Sequence, residues 1–566
     1  MATASQRYFY IVFALMFAVG MHYFQHNFGG VGLELPFNLV VWSFVSILIG
    51  LGLWNSTNKN TLVYSPLLIS VCLFTLTLFI PILFGKNELI HNSYQRLMGL
   101  VAGLVFLFSL YQIKLSIKTL QKLTFWILIG VILEGSLGLL QHYVHTMGSL
   151  LAFDAKTMRP FGVFRQPNVA ATFFVMGIAL TAYLLAFMKD LDKKQQTIIY
   201  LASTLAAWLV ILNSSKTATI ALFVVLLGTA PLLFRSADKR ILRRWYLSIL
   251  VGLLIPFLLN LFNEQYSPRE IATIVRPTLY LISLIIISKN LLTGTGYGSF
   301  SHSFYQEQAG YITSNDFSAA QFANNAIHPH NELLLWGVEG GILPILAIVA
   351  ITIFSIYRYF SNCWASGAFF LAILFPSLFH SMTELPFYHS AIVYITFIFT
   401  IYLIEKSVFN EKITTMPRYL NFKFSSLLIP LLTIVFMLSG LHTHSRLSKF
   451  VETKYSQYSY LQEIINPIPI PESIEYSWFL SPLLTKQNDP ESLLYFLEST
   501  KKIVSYWPKA RLYKDLSTAC GQLGKKELSR KFYDEGQRLF PYSDYFKGNS
   551  SSDLSHPLNS ASSTQH

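Results

Sequence analysis

The chain has 566 residues, of which 53% are hydrophobic, 15% aromatic and only 13% charged. Soluble globular domains carry about 25% charged residues, so a water-soluble enzyme of this length is excluded. The net charge of +13 would suit a nucleic-acid partner, but its placement along the chain assigns it to membrane topology instead.

Apolar runs of about 17 to 26 residues, each long enough to cross a bilayer, recur from Tyr8 to Thr443. They predict spans near 8–24, 37–54, 62–84, 97–113, 123–145, 169–188, 197–212, 216–234, 246–262, 332–357, 366–380, 389–405 and 424–441. The first has no small-residue cleavage site and further spans follow it, so it reads as a membrane helix rather than a signal peptide. The expected class is all-α: a polytopic helical membrane protein of about 12–13 transmembrane helices.

The lysines and arginines cluster in four of the connecting loops. Lys114, Lys118 and Lys122 share one, and Lys189, Lys193 and Lys194 another. Arg235, Lys239, Arg240, Arg243 and Arg244 share a third, and Lys406, Lys412, Arg418 and Lys423 a fourth. All four fall on one side if the N-terminus is cytoplasmic, as the positive-inside rule requires. The same parity places loops 25–36, 85–96, 146–168, 213–215, 263–331 and 381–388 outside, together with the tail after His442. Segment 270–288 is apolar enough to span, but counting it would put the lysines of 406–423 outside. It is therefore read as a re-entrant or interfacial helix.

Residues 1–441 form the membrane domain in this reading, with 442–545 a small helical C-terminal domain and 546–566 a disordered Ser/Asn-rich tail. Leu512, Leu516, Leu523, Gly524, Phe532 and Pro541 approximate one tetratricopeptide-like hairpin, which is expected to pack on the outer loops. Cys72, Cys363 and Cys520 offer neither a disulfide framework nor metal-ligand spacing.

The outer loops carry the candidate chemistry. Arg159 and Arg165 lie in RPFGVFRQPNVAA, Lys216 follows Asn213-Ser214-Ser215, and Arg276 sits inside the apolar 270–288 segment with Tyr280 one turn on. Four cations at an outer cavity suit a lipid diphosphate, whose oxygens a guanidinium binds in pairs. The alternative is that Arg159 and Arg165 snorkel to headgroups and Arg276 pairs with Glu264 or Glu270.

The glycines of GTGYGSF lack the lysine and helix context of a nucleotide-binding loop and are expected to let the chain turn sharply. His328 and His330 precede a long apolar helix, with Asn331 placed as its N-cap and Glu332 in its first turn. A histidine there is favoured as the neutral imidazole, able to take a proton from a hydroxyl. The plainer reading is two interfacial polar residues. Glu134 and Glu339 lie within spans and are expected to be paired, while Glu384 lies beside His380 and can reach the same cavity. The outer loops show no paired carboxylates at metal-ligand spacing, so metal-independent chemistry with no cofactor is expected.

GTGYGSF, HPHNELLLWGVEGGILP and HSMTELPF, in that order, resemble the core of the superfamily of O-antigen ligases, O-antigen polymerases and bacterial protein O-oligosaccharyltransferases. His330, ten intervening residues and Gly341 match its histidine-to-glycine spacing. RPFGVFRQPNVAATFF resembles its outer-loop motif, onto which Arg159, Gln166 and Asn168 map. SSKTATIAL resembles its cationic helix start, with Lys216 where an arginine is usual. Arg276 stands where the family has an arginine one turn before an aromatic, here Tyr280 rather than Trp.

The resemblance covers residues 150–400. It implies a GT-C-like membrane glycosyltransferase in the bacterial inner membrane, with its site and tail facing the periplasm. The implied partners are an undecaprenyl-diphosphate-linked glycan, membrane lipids and a periplasmic, pilin-like acceptor protein; no nucleic acid is implied. The glycan would pass to a Ser or Thr hydroxyl with inversion. In that reading His330 is the general base. Arg159, Arg165, Lys216 and Arg276 bind the diphosphate, His328 orients the acceptor or contacts phosphate, and Glu384 polarises a histidine. The long tail favours a protein acceptor over lipid A core. An O-antigen ligase or polymerase with a sugar acceptor stays open, as does a lipid-linked glycan flippase or transporter, although no internal hydropathy repeat is visible.

Overall fold

A computed structural model describes residues 3–27, 29–144, 159–260, 271–314, 321–324, 326–361, 363–417, 421–470, 474–485 and 489–546. Parts of the sequence-defined loops 146–168 and 263–331, and the tail beyond Phe546, lie outside the described residues.

The apolar runs fold as helices. The first ten are α1 (Ala4–Ala18), α2 (Pro36–Lys59), α3 (Pro66–Phe79), α4 (Pro81–Phe84), α5 (Tyr94–Ile113), α6 (Ile117–Tyr143), α7 (Pro167–Phe187), α8 (Lys193–Leu212), α9 (Lys216–Ser236) and α10 (Lys239–Asn260). They are followed by α11 (Ile271–Lys289), α12 (Phe300–Ser314), α13 (Glu332–Gly340), α14 (Ile342–Phe360), α15 (Trp364–Ser381), α16 (Pro386–His389), α17 (Ala391–Val408) and α18 (Lys423–Glu452). Several start on a side-chain cap that accepts the orphan N–H of the first turn, among them Ser65, Ser116, Asp192, Ser215, Asn331 and Ser390. Thirteen helical segments among the described residues are long and apolar enough to cross a membrane. The protein is a multi-pass helical membrane protein.

At the centre stands α7, in which every residue from Val169 to Leu185 is buried. A helix that is apolar all round finds its place inside a bundle rather than at its rim, and α6, α8, α9 and α15 pack around it. One apolar core joins α1, α2, α5 to α10, α15 and α17. A second joins α11, α12 and α13 to the tail. The helix over 270–288 thus shares its core with α12, α13 and the tail.

Three sequence boundaries shift. The span expected over 332–357 is broken at Gly341, whose φ of 75° ends α13 and turns the chain into α14; the membrane-crossing segment is therefore Ile342–Phe360. The run expected to span from 62 begins as a strand, β1 (Thr61–Tyr64), and its helix starts only after Ser65. The strand pairs antiparallel with β2 (Lys412–Thr415), Thr61 opposite Thr415 and Tyr64 opposite Lys412. These loops are two that charge parity assigns to one side. Finally, α18 continues past His442 to Glu452.

The tail contains helices Pro490–Tyr506, Ala510–Gln522 and Lys526–Leu539. The last two form the expected hairpin, turning at Gly524 with φ 72°, and Leu512, Leu516 and Phe532 are buried between them. The domain packs on α12: the Phe540 ring lies 4.8 Å from that of Tyr305, and Arg538 donates to Gln306 Oε1 at 2.6 Å.

Candidate active site

The site is assembled around the start of α13. Asn331 caps this helix, its Oδ1 accepting from Leu334 N at 3.0 Å, while its Nδ2 donates to Met382 O at 3.0 Å. His330 takes φ 53°, in the left-handed region that side chains other than glycine and asparagine seldom enter. This turn lets His330 N donate to His328 Nδ1 at 3.2 Å and brings the two rings to 4.4 Å.

The far end of α13 is held by the GTGYGSF loop. Thr295 N and Gly296 N donate to Val338 O and Glu339 O at 2.8 and 2.9 Å. Gly294 has φ 66°, and a Cβ there would sit 2.4 Å from the Glu339 carbonyl. The glycines therefore turn the chain and also admit the backbone of α13.

Glu384 enters from the turn after α15, where Thr383 N and Glu384 N both donate to His380 O. Its Oε2 lies 2.7 Å from His330 Nδ1, and its Oε1 accepts from Arg276 Nη2 at 3.3 Å. Arg276 thus pairs with Glu384; the partners expected from the sequence, Glu264 and Glu270, lie outside the described residues. One turn along α11, Tyr280 OH donates to Met382 O at 3.3 Å and reaches His330 O at 3.5 Å.

Burial opposes ionisation of Glu384, but the hydrogen bond from His330 and the charges nearby outweigh it and hold the carboxyl down at about 2. A carboxylate can only accept, so Nδ1 of His330 carries the hydrogen of this bond, and in the neutral imidazole Nε2 is then the nitrogen with the free lone pair. This is the arrangement of a general base oriented by an acid. Burial and the neighbouring His330 push His328 down to about 3, so it is neutral and its Nδ1 can accept from the backbone.

The donor atoms of His328, His330 and Glu384 lie within 4.8 Å of one another, close enough to hold a cation. In the arrangement seen here both Glu384 oxygens and His328 Nδ1 accept hydrogen bonds from within the group. The guanidinium of Arg276 also occupies the charge-compensating position.

Arg276, Tyr280, His328, His330, Asn331 and Glu384 therefore converge. The remaining cations, Arg159, Arg165 and Lys216, stand on neighbouring segments that connect to this group through intervening residues. Arg159 donates to Asn213 O at 2.6 Å, at the junction where Lys216 opens α9. Lys216 is exposed and heads a cleft of about 430 Å³ lined with Val210, Ile211 and Ile220. Next to Lys216, Thr217 reaches Thr383 at 3.3 Å between hydroxyls, and Thr383 precedes Glu384. Arg165 rests over the Phe161 ring at 5.3 Å and reaches Asn27 O, and burial lowers its pKa. Its neighbour Phe164 accepts from His389 Nε2 at 2.8 Å. Gln166 caps α7, accepting from Asn168 N at 2.6 Å and Val169 N at 3.2 Å. The side chain of Gln166 is thus engaged with its own helix, and that of Asn168 stands in its first turn.

Glu134 and Glu339, the two carboxylates expected within spans, are paired. Glu134 accepts from Val163 N at 2.7 Å and His22 Nδ1 lies 3.2 Å from it, so it cradles the turn at Gly162. Glu339 binds Arg96, a residue the sequence did not single out. The guanidinium of Arg96 lies 4.7 Å from the Trp336 ring and 5.8 Å from that of Tyr297. Asn38 was also missed: its amide donates to Gly32 O and His389 O and accepts from Ala391 N, tying α2 to the loop that carries Glu384. Neither had a signal beyond being polar in or beside an apolar run.

Three protein families match the chain. A protein glycosylation ligase family covers residues 160–185, an O-antigen ligase family residues 201–349, and the C-terminal part of a virulence-factor membrane-bound polymerase family residues 368–552. No curated protein matches the chain. The ligase matches take in Arg165, Lys216, Arg276 and His330, and the polymerase match takes in Glu384 and the tail. The chain belongs to the O-antigen ligase superfamily of membrane-bound glycosyl-transferring enzymes, and within it resembles the protein glycosylation ligases.

Proposed function

We propose that the protein transfers an oligosaccharide en bloc from undecaprenyl diphosphate to a Ser or Thr hydroxyl of a periplasmic, pilin-like protein. It acts in the bacterial inner membrane, with site and tail on the periplasmic face. The His330–Glu384 pair beside Arg276 carries this reading. Nε2 of His330 takes the proton of the acceptor hydroxyl, whose oxygen attacks the anomeric carbon from the face opposite the diphosphate. The C–O bond to the diphosphate breaks with inversion, and its electron pair leaves with the phosphate oxygen. Arg276, with Lys216, Arg159 and Arg165 around it, binds the diphosphate and stabilises its growing charge. A diphosphate leaves readily, so no separate general acid is required.

The acceptor is argued from the tail, a folded domain on α12 in the same apolar core as α13. An O-antigen ligase reading, with a sugar acceptor, is favoured by the longer ligase match over residues 201–349. Purified protein, undecaprenyl-diphosphate glycan and a panel of periplasmic proteins, with EDTA present, separate the two. Intact-mass spectrometry should show glycan on Ser or Thr with wild type and none with His330→Ala. Glycan passing only to lipid A core, or only lengthening on its lipid, would replace the protein-acceptor reading; lipid flipping without transfer would end the enzymatic one.

A further inference from the structure

The tail does not rise directly away from the membrane. After α18 the chain returns alongside that helix through the segment Ile464-Ile465-Asn466-Pro467-Ile468-Pro469-Ile470, which contains no charge. Asn466 Nδ2 donates to Phe436 O at 3.3 Å and to Ser439 Oγ at 3.1 Å, both within the apolar part of α18. Pro469 packs on Gly440, where a Cβ would meet its ring at 3.2 Å. Thr443 Oγ1 donates to Asn466 O at 2.6 Å, and Gln95 Nε2 reaches Ile468 O at 3.5 Å.

Irregular backbone at membrane depth is tolerated only where its polar groups are satisfied. Here the prolines at 467 and 469 have no N–H. The two N–H groups between and after them are both bonded: Ile468 N to Asn466 Oδ1 at 3.2 Å, and Ile470 N to Pro467 O at 2.8 Å. Ile465 and Ile468 are nonetheless 76% and 53% exposed. On α18 itself, Phe424, Leu427, Leu431, Val435 and Leu438 are likewise each more than half exposed, at spacings of three and four. Immediately before the segment, Glu463 pairs with Arg446 at 2.8 Å, an ion pair suited to the headgroup level.

We propose that residues 464–470 form a shallow membrane wedge, with Ile465 and Ile468 inserted in the lipid leaflet beside the end of α18. The tail is thereby attached to the bilayer at a second point and held close over α5 and α18. Lipid is the occupant because the segment carries no charge and is hydrogen-bonded to Phe436, Ser439 and Thr443, at the end of the apolar part of a helix long enough to cross the membrane.

The full chain in lipid nanodiscs tests this directly. p-Benzoylphenylalanine placed at position 465 of the otherwise native chain should yield phospholipid adducts on irradiation, read by mass spectrometry. Adducts to protein alone, such as an added acceptor, would overturn the wedge, as would none at all. In a chain with Cys72, Cys363 and Cys520 replaced by alanine, spin labels at Ile465→Cys, Leu438→Cys and Tyr495→Cys give an independent reading. The label at 465 should match the oxygen accessibility of 438. Matching the aqueous relaxation-agent accessibility of 495 would refute the proposal, whatever the protein's enzymatic activity.

Discussion

The carboxylate of Glu384 meets the imidazole of His330 at 2.7 Å across 54 residues of chain. The pair holds His330 in the tautomer whose free nitrogen can accept a proton. Glu384→Gln should therefore lower kcat for glycan transfer by about 10²–10⁴-fold with a small change in donor KM, because an amide can donate to Nδ1 and strand the hydrogen on Nε2. Single-turnover transfer with saturating donor measures this. A drop confined to KM would assign Glu384 to binding.

Two titrating groups near His330 should give stability opposite pH slopes. His328 is depressed to about 3, so the unfolded chain takes up its proton first, and stability falls as pH drops below about 6.5. Glu332, at the start of α13 and outside the membrane-crossing segment, is raised to about 7 by burial, which the charge of Arg96 and a hydrogen bond from Trp336 only partly offset. Its folded form keeps a proton that the unfolded carboxyl loses near 4.5, so its contribution is full below that pH and is lost as pH rises toward 7. Thermal unfolding in detergent from pH 4 to 8 should show Glu332→Gln removing the loss on the alkaline side. His328→Asn should flatten the acid side.

Arg96 is the cation beside both carboxylates of α13. Its side chain is 12% exposed and that of Glu339 3%. Arg96→Met leaves the buried Glu339 without its cation, with the Phe300 N–H at 3.3 Å as its remaining hydrogen bond, a change that costs about 3–5 kcal/mol. The double variant Arg96→Met with Glu339→Gln should recover part of this loss, as an unfolding cycle in detergent would show. Equal stability of single and double variants would mean that the ion pair does not hold α13.

Lys216 offers a point charge where a guanidinium would offer a fork. Lys216→Ala should raise donor KM about tenfold, while Lys216→Arg should match or improve on wild type. Donor titrations at low and high salt measure both, and a weaker salt dependence of KM in the alanine variant than in wild type is expected if this charge contacts the diphosphate. Unchanged KM in Lys216→Ala would remove Lys216 from the site.

Much of this was legible because the signals were local. The helical class followed from apolar runs that must bury or cross, and His330, Asn331 and Glu384 stood out as polar residues at helix ends. What escaped was decided by distant partners. Arg96 reads as a snorkelling residue at the start of a span until Glu339, 243 positions away, meets it. The break at Gly341 was invisible because apolar residues run on both sides of it, and only the backbone turn marks it. The strand Thr61–Tyr64 merged into the following apolar run for the same reason, its partner being supplied by Lys412–Thr415. Gln166 shows the converse: its motif position was legible, but the capping of its own helix by its side-chain oxygen was not.

The two-stranded ladder between Thr61–Tyr64 and Lys412–Thr415, together with the packing of α18 along α2, joins the beginning of the membrane domain to its end. During synthesis, the face of α2 that receives α18 must wait until more than three hundred further residues have entered the bilayer. Closure of the bundle is thus the last step of assembly, and a chain interrupted before Lys412 would retain most of its helices but expose both an unpaired strand and a bare helix face.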